Sequence, residues 1–204
     1  MAAGDFLTLA APAMLETEVR KSRFIAHAAP VATVDEALAH VAAHSVADAT
    51  HNCWAYLVGR EYRYNDDGEP GGTAGRPILQ AIEGQGLDGV AVLVVRWFGG
   101  VKLGAGGLVR AYGGCAAQCL RGADKRQVVA RRVVRFQCGY AELGAIKLRL
   151  AQAGAVLTDT HYGAGHIELM VAVPLEALKP LEHVVGDITR GRSAWREDTQ
   201  ASAQ

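Results

Sequence analysis

Val90-Ala-Val-Leu-Val-Val95 runs directly into Arg96-Trp-Phe-Gly-Gly100-Val-Lys102-Leu-Gly104-Ala-Gly-Gly107. An apolar strand that feeds a glycine-rich turn and then a helix can aim several backbone N–H groups at one anion. The helix N-terminus adds partial positive charge there. Arg96, Lys102 and Arg110 would add full charges, and Gly99, Gly100 and Gly104 would let the backbone approach closely. The chemistry is phosphate or anion contact. It is not a Walker A loop, which ends in Gly-Lys-Ser/Thr. The dinucleotide fingerprint also fails, because counting from Gly104 and Gly106 its third glycine would fall on Val109. Tight helix-on-sheet packing would need the same glycines, with Gly113-Gly114 serving it too. Both readings stay open.

A second stretch, Asp66-Asp-Gly-Glu69-Pro-Gly-Gly-Thr73-Ala-Gly75-Arg-Pro77, sets three carboxylates within four residues. Asp66, Asp67 and Glu69 are hard oxygen ligands of the kind magnesium takes. They could equally pair with Arg76 or Lys102. The spacing of an EF-hand is missing. Asp-Gly and Pro-Gly suit plain turns, but twelve such residues exceed what a turn requires, so the stretch reads as a functional loop with Thr73 inside it.

His51-Asn-Cys53 with Cys115 and Cys119 raises zinc. The deaminase pattern needs His-x-Glu and Pro-Cys-x-x-Cys, and neither occurs. Cys115 and Cys119 fall on an apolar helix stripe, where cysteine behaves as a small hydrophobe. No metal is expected, and no carboxylate is seen to orient His51 for a Cys53 nucleophile; His51 is kept as a binding candidate. Lys21-Ser-Arg23-Phe24 places two cations and an aromatic side by side, suited to a nucleic-acid backbone or to a solvated strand start.

These residues need elements to hold them. Leu7–Thr17, Phe24–Val31 and Asn52–Val58 read as strands. Thr33-Val-Asp-Glu36 is a capping box for a helix through His44. Val90–Val95, apolar throughout, reads as a strand buried on both faces. A long helix follows from about Gly104 to Arg121, with Leu108, Tyr112, Cys115 and Cys119 on one stripe. Arg121 to Arg135 carries six cations against Asp124 and reads as a solvated connector at a domain boundary. Beyond it the pattern is a strand at Val133–Tyr140, a helix at Ala141–Ala153 stopped by Gly154, and strands at Ala155–Tyr162 and His166–Val173. A helix through Leu178, Leu181, Val185 and Ile188 and a weak strand at Ser193–Glu197 complete it. That order is β-α-β-β-α-β, the ferredoxin-like split arrangement, and the fold class is α+β.

Composition bounds the rest. The 204 residues carry 21 basic and 21 acidic side chains, and half are apolar. A cationic polyelectrolyte, an acidic solubilising protein and a disordered chain are excluded, so any basic surface must be local. Four cysteines do not make a disulfide scaffold. No leader or membrane run is read, and a cytoplasmic protein with reduced thiols is expected. Sixteen of the 24 glycines lie within residues 59–122, so a binding surface is expected there.

Taken in order, Lys21-Ser-Arg-Phe24, Asp48-Ala-Thr-His51-Asn-Cys53, Asp66 to Pro77, and Val95-Arg-Trp-Phe-Gly-Gly-Val-Lys-Leu-Gly104 through Tyr112 resemble the IMPACT family over nearly the whole chain. The resemblance implies two domains. Residues 1–132 would take the fold of the second domain of the fifth small-subunit ribosomal protein, shared with domain IV of elongation factor G and with GHMP-type kinases. Residues 133–204 would be ferredoxin-like, similar to the last domain of elongation factor G, with a short disordered tail. Eukaryotic members are translation regulators in a stress-kinase pathway, acting through an extra N-terminal domain; the bacterial members carry no settled activity.

The expectation is therefore a translation-linked regulator that binds RNA or a ribosome-associated partner without catalysis or cofactor. Arg96, Lys102 and Arg110 would touch phosphates, Lys21 and Arg23 would support them, and the Asp66–Gly75 loop would orient the cations. The second domain would offer its open sheet face to a protein. The competing expectation is a phosphate- or nucleotide-binding enzyme that uses the Gly99–Gly107 turn and the carboxylates of Asp66 to Glu69.

Overall fold

A computed structural model describes residues 4–197. The chain divides into two compact units, Met1–Val128 and Val129–Gln204. The expected short tail lies outside the described residues.

The first unit is built on a five-stranded, wholly antiparallel sheet ordered β2 (Ala13–Val19), β3 (Ser22–Pro30), β6 (Val90–Trp97), β4 (His51–Val58), β5 (Glu61–Asn65). The apolar strand β6 lies at its centre because both of its faces are covered. On one face Val90, Val92 and Val94 meet α2 (Gly75–Glu83) and α3 (Ala105–Gly122), through Ile78, Leu79, Ile82, Leu108, Tyr112, Cys115 and Cys119. On the other, Ala91, Leu93 and Val95 meet α1 (Val34–His44) through Ala37 and Val41. A strand buried on both sides does not require a parallel sheet; here helices on both faces of an antiparallel one do the same.

The capping box of α1 forms with one change. The Thr33 hydroxyl accepts from the Glu36 N–H, and the Glu36 carboxylate reaches the Ala32 N–H at 2.7 Å. The strand expected over Leu7–Thr17 is instead two, β1 (Phe6–Leu9) and β2, broken at Ala10-Ala-Pro12. Pro12 offers no N–H to a ladder. β1 leaves the main sheet and pairs with β7 (Lys125–Val128). The basic run read as a solvated connector therefore includes a strand, whose Lys125, Arg126 and Gln127 point to solvent.

In the second unit β8 (Arg131–Cys138), α4 (Leu143–Gln152), β9 (Val156–Tyr162), β10 (Ile167–Pro174), α5 (Leu178–Ile188) and β11 (Arg196–Glu197) follow the β-α-β-β-α-β order. Their sheet is antiparallel, ordered β11-β8-β10-β9. Ile146, Leu150, Leu181 and Val185 of the helices pack on Val134, Phe136, Leu169 and Val171, covering one face. Gly154, at φ 65°, ends α4. Among the described residues no helix is long and apolar enough to cross a membrane.

Candidate functional site

Three connections meet at one end of the first unit's sheet: the β2–β3 hairpin tip, the turn from β6 into α3, and the acidic loop from β5 into α2. The hairpin tip consists of Arg20 and Lys21, at φ 47° and 66°. A two-residue hairpin turn demands positive φ, and Asn-Gly is the usual answer. Two long cationic side chains take that strain here, and strain of this kind gathers at functional sites. Gly99 of the turn packs directly on the tip. A Cβ at Gly99 would lie 1.9 Å from the Lys21 carbonyl carbon and oxygen, so only glycine fits. The buried Ser22 hydroxyl accepts from the Gly99 N–H at 3.1 Å, and the Thr50 hydroxyl accepts from the Phe98 N–H at 2.9 Å.

Arg96 does not reach the surface. It is buried, and its Nη1 donates to Glu69 Oε1. Its guanidinium lies over two rings, 5.5 Å from the centroid of Phe24 and 5.6 Å from that of Phe98. The same Glu69 oxygen accepts from the Tyr112 hydroxyl at 2.7 Å. Burial is the main reason that the Tyr112 phenol is held well above its ordinary range, so it stays a donor. His51 faces this oxygen with Nε2 at 3.7 Å. Its Nδ1 lies 2.7 Å from the Asp67 carbonyl. A carbonyl can only accept, so Nδ1 carries a proton.

The remaining acidic residues are engaged within their own loop. Asp66 accepts from the amides of Gly72 at 2.8 Å, Ala74 at 2.9 Å and Gly75 at 2.8 Å. It thereby shapes the glycine stretch and caps α2 from nine residues upstream. At Gly75 a Cβ would meet the Asn65 backbone at 2.6 Å, which excludes any side chain. Asp67 accepts from the Asn52 N–H at 2.6 Å. The Thr73 hydroxyl donates to the Pro70 carbonyl at 2.6 Å. Burial pushes the Cys53 thiol up to about 12 and the Cys119 thiol up to about 11, which makes both poor thiolates. Among the described residues no group of three His, Cys, Asp or Glu side chains is arranged to hold a metal ion.

The exposed cations form a separate layer. Among the described residues Arg20, Lys21, Lys102 and Arg110 make no ion pair. Arg23 is different: it is bidentate to Glu16, at 2.7 and 2.9 Å, and lies 5.1 Å over Trp97. Gly104 caps α3 and Gly100 precedes it at φ 83°, so no side chain caps the helix and its first turn holds no acid. Arg110 Nη1 reaches back over that turn, 3.6 Å from where a Gly106 Cβ would stand. A cavity of about 270 Å³ is lined by Val19, Arg20, Leu103, Gly107, Arg110 and Ala111.

The structure thus sorts the sequence candidates. His51, Asp66, Glu69, Thr73 and Arg96 form an inner frame, to which the exposed Asp67 is tied through His51 and Asn52, and Arg96, expected on phosphate, is part of it. Glu69 attracts its charge and two aromatic rings take its faces. Lys21, Lys102 and Arg110 stay outside, as do Gly100 and Gly104, while Gly99 is half-buried against the hairpin tip and Arg23 is neutralised by Glu16. Sequence reasoning missed Arg20, Ser22, Thr50 and Tyr112 as parts of the site. Tyr112 looked like one more member of an apolar stripe. Arg20 fell within the six-residue gap, Glu18–Arg23, between the strands expected there, and nothing in the sequence marked it as a hairpin tip.

The chain matches the family model "Impact N-terminal domain" over residues 20–120 and a "Domain of unknown function" over residues 136–192. It is 47% identical to an IMPACT family member of Thermus thermophilus, over 88% of this chain and 99% of that protein. It is 36% identical to the IMPACT family member YigZ of Escherichia coli, over 92% and 95%. A crystal structure titled only as a hypothetical protein is 35% identical, with a TM-score of 0.67 over 94% of this chain and 96% of that one.

Proposed function

The chain belongs to the IMPACT family, and from that membership we propose that it is a translation-linked regulator that binds RNA or a ribosome-associated partner without catalysis, acting in the cytoplasm. The observation that carries the RNA reading is Arg110 lying over the uncapped first turn of α3. A cation at a helix N-terminus is repelled by the helix dipole. Here no acid of the first turn offsets it, and Arg20 lines the same cavity. A phosphate would satisfy the helix amides and both guanidinium groups at once. Lys21 at the hairpin tip and Lys102 in the turn add exposed charge, so a backbone with several phosphates suits the surface better than one small anion. Glu69 and Arg96 support this role from inside by fixing the turn.

The enzyme reading needs Asp66, Asp67 or Glu69 free for magnesium or for proton transfer. All three carboxylates already hold amides, Arg96 or Tyr112. In the second unit, Arg135, Asp159, His161 and Glu168 line a cavity of about 330 Å³. That mixture of charges suits a protein partner better than a phosphate backbone.

Fluorescence anisotropy with a labelled RNA oligonucleotide across a salt series tests the RNA reading. For each tenfold rise in salt, affinity should fall by roughly 0.7 log units per phosphate contact. Lys102→Glu should lower that slope, and Arg110→Glu should weaken binding further. No binding to RNA or to ribosomes at low salt would refute it.

A further inference from the structure

Resting on the RNA reading above, we propose that the RNA taken is single-stranded, and that one of its unpaired bases stacks on the outer face of Phe98. An exposed aromatic is unremarkable by itself, since much protein surface is apolar. Phe98 differs in how it is held. It is 47% exposed at the tip of the turn, beside the half-buried Trp97. Its N–H is tied to the Thr50 hydroxyl, and the next residue, Gly99, is locked against the hairpin tip. The Arg96 guanidinium lies over its ring as well as over that of the buried Phe24, and is fixed there by Glu69. The ring is therefore backed by a buried cation, and about half of the residue stays open to solvent. Little conformational freedom remains to be lost when something stacks on it.

Its surroundings favour a nucleotide over an apolar peptide. Lys21, whose carbonyl touches Gly99, and Lys102, four residues along from Phe98, are exposed cations unpaired among the described residues. A flat aromatic set among cations is how single strands are held: phosphates follow the charge and bases stack on the rings. A duplex offers phosphates but keeps its bases stacked inside, so it can use the cations and not Phe98.

The experiment compares the full chain with Phe98→Leu and Phe98→Trp. The probes are a uridine-rich single-stranded RNA and a duplex RNA of equal length, with a 2-aminopurine placed in a second single strand. The expected result has five parts. The single strand binds more tightly than the duplex. Phe98→Leu, which keeps apolar bulk but has no ring, loses about 5- to 150-fold in affinity for it. Its salt slope is unchanged, while Phe98→Trp binds like the parent. The 2-aminopurine signal is quenched by the parent chain and not by Phe98→Leu. Circular dichroism of each variant separates misfolding from lost stacking. If Phe98→Leu binds as the parent does, or the duplex binds as tightly as the single strand, stacking is wrong while a salt-dependent phosphate site stands. If the parent binds no RNA, both the proposed function and this inference fall.

Discussion

Glu69 is the residue on which the frame of the site depends. Its carboxylate is nearly inaccessible and neutralises a guanidinium that is equally buried. The value of such a pair is hard to predict against an apolar replacement, but breaking one is costly, because a buried charge is left behind. Glu69→Ala should destabilise the first unit by about 3–5 kcal/mol, read as a lower urea midpoint with unchanged slope. Tyr112→Phe removes one donor to a carboxylate that keeps its arginine, and should cost about 1–3 kcal/mol. An equal loss for the two would mean that Arg96 finds another partner when Glu69 is gone. Gly99 makes a sharper steric claim. Alanine there places a methyl on the Lys21 carbonyl, so either the hairpin tip or the turn must move. Gly99→Ala should weaken RNA binding together with stability, whereas Lys102→Glu should change binding alone.

At the scale of elements, α1 carries a titratable seam against the sheet. His40 and His44 of the helix meet His27 of β3, with ring centroids 4.4 Å apart for His40–His44 and 4.9 Å for His27–His44. His40 Nε2 donates to the His27 carbonyl at 3.2 Å, and His44 Nδ1 donates to the His40 carbonyl at 2.9 Å. Burial first, and then the neighbouring imidazoles, hold His27 below its ordinary 6.5; burial, with His44 adding to it, does the same for His40. The unfolded chain therefore binds more protons than the folded one in this range. Stability should be full above pH 6.5 and should fall as the pH drops through it toward the lower folded values. His27→Ala should flatten that fall, as measured by urea denaturation between pH 5 and 8. An unchanged pH dependence would count against the seam.

The same scale shows what the sequence allowed to be read. β6, α1 and α3 were legible because each is long and strongly patterned, and so was the order of elements in the second unit. β5 was not, since all five of its residues are exposed and show no alternation of burial. α2 was hidden because it is nine residues long and opens on Gly75-Arg-Pro77. Pro77 in its first turn was a readable signal, but the cap comes from Asp66, beyond any local window. The candidate site was legible as residue types within a glycine-rich region. Which cations face outward was not, because that depends on Glu69 drawing Arg96 inward and Glu16 taking Arg23.

At the scale of the whole chain, each unit has its own buried cluster. One is gathered around β6, α2 and α3; the other lies between the β8–β10 sheet and α4 with α5. The tryptophans divide in the same way. Trp54 and Trp97 pack on the α1 side of the first unit, while Trp195 stacks on Phe136 at 5.2 Å in the second. Fluorescence can therefore report the two units separately if Trp195 is replaced by Phe in one sample and both Trp54 and Trp97 in another. Ile146 is fully buried in the second cluster and Ile78 in the first. Truncating either to alanine should cost about 2–5 kcal/mol locally. Ile146→Ala should shift the Trp195 transition to lower urea, leaving the Trp54 and Trp97 transition, the RNA affinity and its salt slope as they were. Ile78→Ala, in the helix that follows the loop carrying Glu69, should shift the first transition and weaken RNA binding. If Ile146→Ala moves both transitions together, the chain unfolds as one cooperative body. The binding surface would then draw its stability from both cores, instead of from the sheet that carries it.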